Sequence, residues 1–134
     1  MAKLLDIEGI GPVYSEKLKN AGVKSVESLL KLGATPAGRE SIAEKAGIDK
    51  RLILEWVNRA DLFRIKGVAE EYSDLLEASG VDTVVELAQR NAENLLAKIL
   101  EVNAEKKLVR RVPTLNAIKD WIEQAKNLPR AIHY

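Results

Sequence analysis

The sequence contains no cysteine, which excludes disulfides and thiolate metal sites. Its one histidine, His133, stands at the far end, so a His-based metal site or Ser-His machinery is not expected. No apolar run approaches the ~20 residues needed to span a bilayer. The opening Met1-Ala2-Lys3-Leu4-Leu5-Asp6 lacks the apolar stretch of a secretion signal. A cytoplasmic protein with no membrane partner is therefore expected. Aromatic residues make up only 4% of the chain, while Ala, Leu, Glu and Lys abound, which favours helix over strand. Neither sign of charge dominates, since 21 Lys and Arg against 20 Asp and Glu leave a net charge of +1. Dedicated nucleic-acid binders usually carry a basic excess on one face, so such an activity here would rest on a local patch.

What is present suits a folded protein. The 134 residues are enough for one ordinary domain or two small ones, and 46% hydrophobic with 31% charged residues excludes a disordered chain. No catalytic set is visible. Ser15 and Ser73 follow tyrosines but have no His or Lys base at a fixed spacing, and the carboxylates are scattered over helix surfaces rather than clustered as metal ligands. A protein without enzymatic activity, cofactor or metal is expected.

The most informative stretch is Ile7-Glu8-Gly9-Ile10-Gly11-Pro12, followed by Val13 to Val23. Gly9 and Gly11 flank an apolar Ile10 and permit a tight turn. Pro12 fits the first helical position, where a missing N–H costs nothing. Gly22 fits the residue after the helix end. Such a turn aims unpaired backbone N–H groups at one spot beside a helix N-terminus, which favours an anion.

With Ile7, Gly9, Ile10, Gly11, Ser15, Leu18 and Gly22 at these spacings, the stretch resembles the helix-hairpin-helix motif. The resemblance implies contact with nucleic-acid backbone phosphates without reading of sequence. In several members of that superfamily the hairpin carbonyls hold a monovalent cation. Val13 departs from the pattern, since binding members often have Lys or Arg there, and Glu8 and Glu16 flank the turn.

An ungapped internal match sets Ile7–Leu30 against Ile65–Ala88. Ile7/Ile65, Gly9/Gly67, Tyr14/Tyr72, Ser15/Ser73, Leu18/Leu76, Gly22/Gly80, Val23/Val81, Val26/Val84 and Leu29/Leu87 are identical. After an insertion, Ile53-Leu54-Glu55-Trp56-Val57 resembles Ile118-Lys119-Asp120-Trp121-Ile122. This reads as a duplication. Within the first half, Ala46-Gly47-Ile48-Asp49-Lys50-Arg51 looks like a degenerate second hairpin. The expectation is an all-α fold of two tandem, internally duplicated double-helix-hairpin-helix (SAM-like) modules, residues 1–62 and 63–128, packed as one unit and followed by a loosely held tail, 129–134. The plan is similar to the small N-terminal domains of archaeal and eukaryotic RecA-like recombinases. The chain to about Leu128 also resembles an uncharacterised bacterial and archaeal family, a domain of unknown function with tandem modules of this kind.

Helices are expected over about Pro12–Ala21, from the Ser25 cap to about Leu32, from Thr35-Pro36 to about Ala46, and from the Asp49 cap to Leu62. In the second half they are expected over Glu70–Ala78, from Asp82 to about Arg90, from Asn91 to about Val102, and from Pro113-Thr114 to about Lys126. A basic link, Asn103 to Val112, precedes the last. Trp56 and Trp121 hold matching places and read as core anchors.

The candidate nucleic-acid contacts are the backbone around Gly9, Ile10, Gly11 and Val13, with Lys17 along the helix. Lys50 and Arg51 follow the degenerate hairpin, and Lys106, Lys107, Arg110 and Arg111 would share a face at i, i+4 if helical. DNA or RNA is the implied partner. In the second hairpin Ala69 replaces a glycine, and Glu70, Glu71 and Asp74 fill the first helical turn, a sequence that suits the helix dipole and opposes a phosphate. That acidic turn and the near-zero net charge favour the alternative, a protein-interaction or scaffold module that has lost nucleic-acid binding.

Overall fold

Five helices begin where the sequence places a short polar side chain able to bond the first-turn amides. The computed structural model describes residues 2–134, with Ala69 described by its backbone alone, so the first residue of the expected module 1–62 lies outside the described residues. A 3-10 turn at Leu4–Asp6 precedes α1 (Pro12–Asn20), α2 (Val26–Leu32), α3 (Pro36–Ala46) and α4 (Lys50–Leu62). α5 (Ala69–Ala78), α6 (Val84–Ala88), α7 (Ala92–Lys106) and α8 (Leu115–Lys126) follow, and no strand occurs among the described residues. The fold is all-α. Ser25 accepts from Ser28 N, Thr35 from Gly38 N, Thr83 from Glu86 N, Asn91 from Asn94 N and Thr114 from Ala117 N, each closing a helix start.

Helices α6 and α7 depart from expectation. α6 is capped by Thr83 rather than Asp82, and ends at Ala88. α7 continues four residues past Val102, to Lys106, because Asn103 does not stop it. The Asn103 amide instead turns toward the following chain: its Nδ2 donates to Val109 O at 3.1 Å, and its Oδ1 accepts from Val109 N at 3.0 Å. Its carbonyl accepts from Lys107 N at 2.9 Å, and Lys107 adopts the left-handed conformation (φ 50°) that ends the helix.

The chain divides into two units. Unit 1 comprises residues up to Asp61 together with Arg130–Tyr134, and unit 2 comprises Leu62–Pro129. In unit 1 the fully buried side chains include Leu4, Ile7, Leu18, Leu29, Ile53 and Trp56. Gly38 lets α3 start against the end of α2. A Cβ built there would collide with the Leu32 carbonyl, which backbone cannot easily yield. Gly38→Ala is therefore expected to destabilise by about 1–3 kcal/mol, the usual cost of overpacking, despite alanine's better helix propensity. A urea unfolding curve with an unchanged or raised midpoint would refute this.

Residues 130–134, expected to be loosely held, form a strap fixed to unit 1. Ile132 is buried, His133 N donates to Ala34 O at 2.8 Å, and Tyr134 Oη donates to Asn58 Oδ1 at 3.0 Å. Arg39 is buried and grips both sides, donating through Nη1 to Gly33 O and through Nη2 to His133 O, each at 2.9 Å. Unit 2 has one core, in which Leu75, Leu76 and Leu87 meet Leu95, Ile99, Ile118 and Trp121.

Candidate nucleic-acid interface

Helices α1 and α5 lack the side-chain cap that closes their neighbours' N-termini, and both follow a glycine turn. The N-cap of α1 is Gly11, extended at φ −92°, ψ −173°, with no side chain to offer. Pro12 carries no N–H. The first answered amide of α1 is that of Ser15, bonded to Gly11 O at 2.9 Å. The Val13 and Tyr14 amides have no protein acceptor among the described hydrogen bonds. Unsatisfied donors and the positive end of the helix dipole thus coincide beside an exposed Val13.

The turn is braced by α4. Gly9 has φ +96°, and a Cβ there would stand 3.1 Å from Trp56 Nε1 and 3.5 Å from Arg59 Nη1. Conformation and space both call for glycine. The Trp56 ring also meets Tyr14 of α1, with centroids 5.0 Å apart and planes tilted by 59°. Three residues further along α4, the buried Arg59 donates through Nη1 to Glu8 O at 2.6 Å and pairs with Glu55 at 3.2 Å.

Unit 2 contains the same arrangement with different polar chemistry. Gly67 has φ +97° and a Cβ position 3.1 Å from Trp121 Nε1. Tyr72 meets Trp121 at 5.3 Å with a 48° tilt. Gln124, three residues after Trp121, takes both backbone groups of Lys66: its Oε1 accepts from Lys66 N at 2.8 Å and its Nε2 donates to Lys66 O at 3.1 Å. Neither Arg59 nor Gln124 was singled out in the sequence. The available signal was a polar residue three positions after each tryptophan.

The profile of a family described as a domain of unknown function, DUF4332, matches residues 8–128. The chain belongs to that family. No curated protein and no solved structure matches it. The DUF4332 match spans both glycine turns and all eight described helices, and stops short of the strap at 130–134.

Within this DUF4332 chain the predicted contact residues fall into separate groups. Ile10 is buried, and its amide donates to Ile7 O at 3.1 Å, so it offers nothing outward. The first turn of α1 supplies the Val13 amide, and Lys17 is exposed one turn on. Among the hairpin carbonyls, Ile7 O accepts from Ile10 N and Glu8 O from the guanidinium of Arg59, whose positive charge disfavours a cation beside Glu8 O.

Lys50 and Arg51 are exposed at the opposite end of α4, about 9 Å of helix rise from Trp56. Arg51 folds back on Asp49, donating from its amide to Oδ1 at 2.8 Å and pairing through Nη2 at 3.2 Å. The side-chain and backbone hydrogen bonds from Arg51 hold the Asp49 carboxyl below its ordinary value.

The basic link in unit 2 differs from expectation. Lys106 ends α7, Lys107 is its left-handed cap, and Arg110 and Arg111 lie in a bend beyond it, so the four do not share a helical face. All four are exposed. The Arg111 carbonyl accepts from Tyr72 Oη at 3.1 Å, which ties the link to α5. At the second turn, Val68 is buried and already helical (φ −85°, ψ −63°), and Glu70 and Glu71 stand exposed in the first turn of α5. Among the described residues no three His, Cys, Asp or Glu are grouped to hold a metal, and no helix is long and apolar enough to cross a membrane.

Proposed function

We propose that this protein is a non-enzymatic, cytoplasmic helix-hairpin-helix protein that binds nucleic-acid backbone phosphates without reading sequence. Its two units are tandem, duplicated modules of that kind. The observation that carries the phosphate reading is the open N-terminus of α1, where Gly11 provides no cap and the Val13 and Tyr14 amides have no described protein acceptor. The paired glycine–tryptophan geometry at Gly9 and Gly67 supports the duplication.

Lys17 stands near enough along α1 to answer the same strand, and the exposed Lys50, Lys106, Lys107, Arg110 and Arg111 add charge that favours a polyanion. Fluorescence anisotropy against a labelled duplex, a single strand and an RNA, at low and at physiological salt, tests this. Val13→Glu places a carboxylate at the open helix start on a side chain that is 69% exposed, so the core is untouched. It is expected to weaken binding about tenfold or more, through repulsion of the phosphate and loss of the dipole's pull. Absence of binding at low salt up to high micromolar protein, or binding indifferent to Val13→Glu, overturns the reading.

A second reading rests on Glu70 and Glu71, exposed at the other uncapped helix start. It makes the protein a docking module for a basic protein surface. Salt-sensitive capture of a basic peptide, abolished by Glu70→Lys with Glu71→Lys, would favour it over the first.

A further inference from the structure

Unit 1 has a cleft away from the Gly9 turn. It encloses about 320 Å³, within the range of small-ligand sites. The start of α3 contributes Pro36, Arg39 and Glu40, the start of α4 contributes Lys50, Arg51 and Leu54, and the strap contributes Tyr134. Arg39, Lys50 and Arg51 face one acid, Glu40, in the lining, and Arg51 is already paired with Asp49 beside it.

The cleft has an apolar part and a charged part. Tyr134 is 65% exposed yet held at both ends: its hydroxyl bonds Asn58, and its ring lies 5.8 Å from the guanidinium carbon of Arg39. Arg39 is itself fixed by the Gly33 and His133 carbonyls, so the ring is offered on a rigid mount. Leu54 and Pro36 extend the apolar surface. Arg51 is engaged with Asp49, whereas Lys50 makes no ion pair among the described residues and is exposed. An aromatic ring and an ammonium with no described ion pair, lining one cleft, match a ligand with an aromatic ring and an anionic group.

We propose that this cleft binds a nucleotide, its base against Tyr134 and Leu54 and its phosphate against Lys50. A phosphate's negative charge complements the Lys50 ammonium, and bases of any kind stack on an aromatic ring. The same chemistry arises from a free mononucleotide or from one residue of a single strand. α1 and the Gly9 turn contribute nothing to the cleft, so this proposal does not depend on the phosphate reading of that turn.

Calorimetric titration of the full chain with adenosine monophosphate tests it, with adenosine, inorganic phosphate and a short oligothymidylate alongside. Saturable binding of the monophosphate, tighter than that of adenosine or of phosphate, is expected. Tyr134→Ala should weaken it about tenfold, the usual effect of removing a stacking ring, while Tyr134→Phe, which keeps the ring and loses the Asn58 bond, should weaken it far less. Lys50→Glu, at an exposed position outside the core, should weaken it at least as much and serves if Tyr134→Ala disturbs the strap. Binding of the oligothymidylate that is tighter than that of the monophosphate and is weakened by Tyr134→Ala supports the site with a strand residue as occupant, and the reverse order supports it with a free nucleotide. No saturable binding of either in the millimolar range, or affinities unchanged in both Tyr134→Ala and Lys50→Glu, overturns it. The Gly9 turn is judged by duplex binding and this cleft by the monophosphate, so either can fail without the other.

Discussion

Trp56→Ala is expected to lower the unfolding free energy by about 3–5 kcal/mol, the range for truncating a buried aromatic. Trp56 is 1% exposed and packs between α1 and the Gly9 turn. Its ring meets Tyr14, its indole edge lies under Gly9, and its helix carries Arg59 to the Glu8 carbonyl. Removing the ring leaves a void that α1, α4 and the turn cannot all close, because each is fixed by other contacts. The turn would also lose its floor, so the open amides of α1 would no longer be held in place. Duplex binding should then fall together with stability, unlike in Val13→Glu, where only binding falls. Trp121→Ala is expected to cost a similar amount, since Trp121 is 3% exposed and stands in the same relation to Gly67 and Tyr72. Urea unfolding followed by circular dichroism measures both. A loss under about 1 kcal/mol in either variant, far below the truncation range, would show that the tryptophan is not an anchor.

Deleting residues 130–134 is expected to cost at least about 3 kcal/mol, combining the loss of a buried isoleucine with an orphaned charged donor. Ile132 is 2% exposed, so its removal uncovers the surface that it shields on unit 1. Arg39 is 7% exposed and would lose the His133 carbonyl on Nη2, leaving part of a buried guanidinium unanswered. Burial already lowers the Arg39 pKa, a sign that its charge is costly to hold there. Ala34 O would lose its donor as well. Ile132→Ala alone should account for about 2–4 kcal/mol of the loss, and comparison of the two variants separates apolar burial from the Arg39 contact. A truncated chain with an unaltered unfolding midpoint would show that the strap rests on unit 1 without stabilising it. The truncated chain also lacks Tyr134, so nucleotide binding in the cleft should disappear with it.

Much of the helical layout was legible because it depends on local chemistry. Ser25, Thr35 and Asn91 cap the helices they were expected to cap, and Thr114 caps the helix that Pro113-Thr114 was expected to start, since a short oxygen-bearing side chain three residues from an amide needs nothing distant to act. Gly9 marked its turn for the same reason. Asn103 misled because its side chain bonds Val109, six residues onward, so it closes the link rather than ending α7. That displaced Lys106 and Lys107 onto the helix end and separated them from Arg110 and Arg111. Among the candidate residues, Ile10 turns its amide inward, bonding back to Ile7 within the turn.

The all-α class, most of the caps, the two glycine turns and the matching places of the two tryptophans are legible along the chain, because each is written in spacing and side-chain type over a few residues. Packing sets the rest: Arg59 and Gln124 hold the turns, each against its tryptophan, Arg39 and Ile132 bind the strap to unit 1, and Tyr134 joins Lys50 in a cleft. These contacts join residues 51, 58 and 94 positions apart. Helical periodicity fixes which side chains share a face within a turn or two, but which distant backbone carbonyl a buried guanidinium reaches depends on how the helices pack.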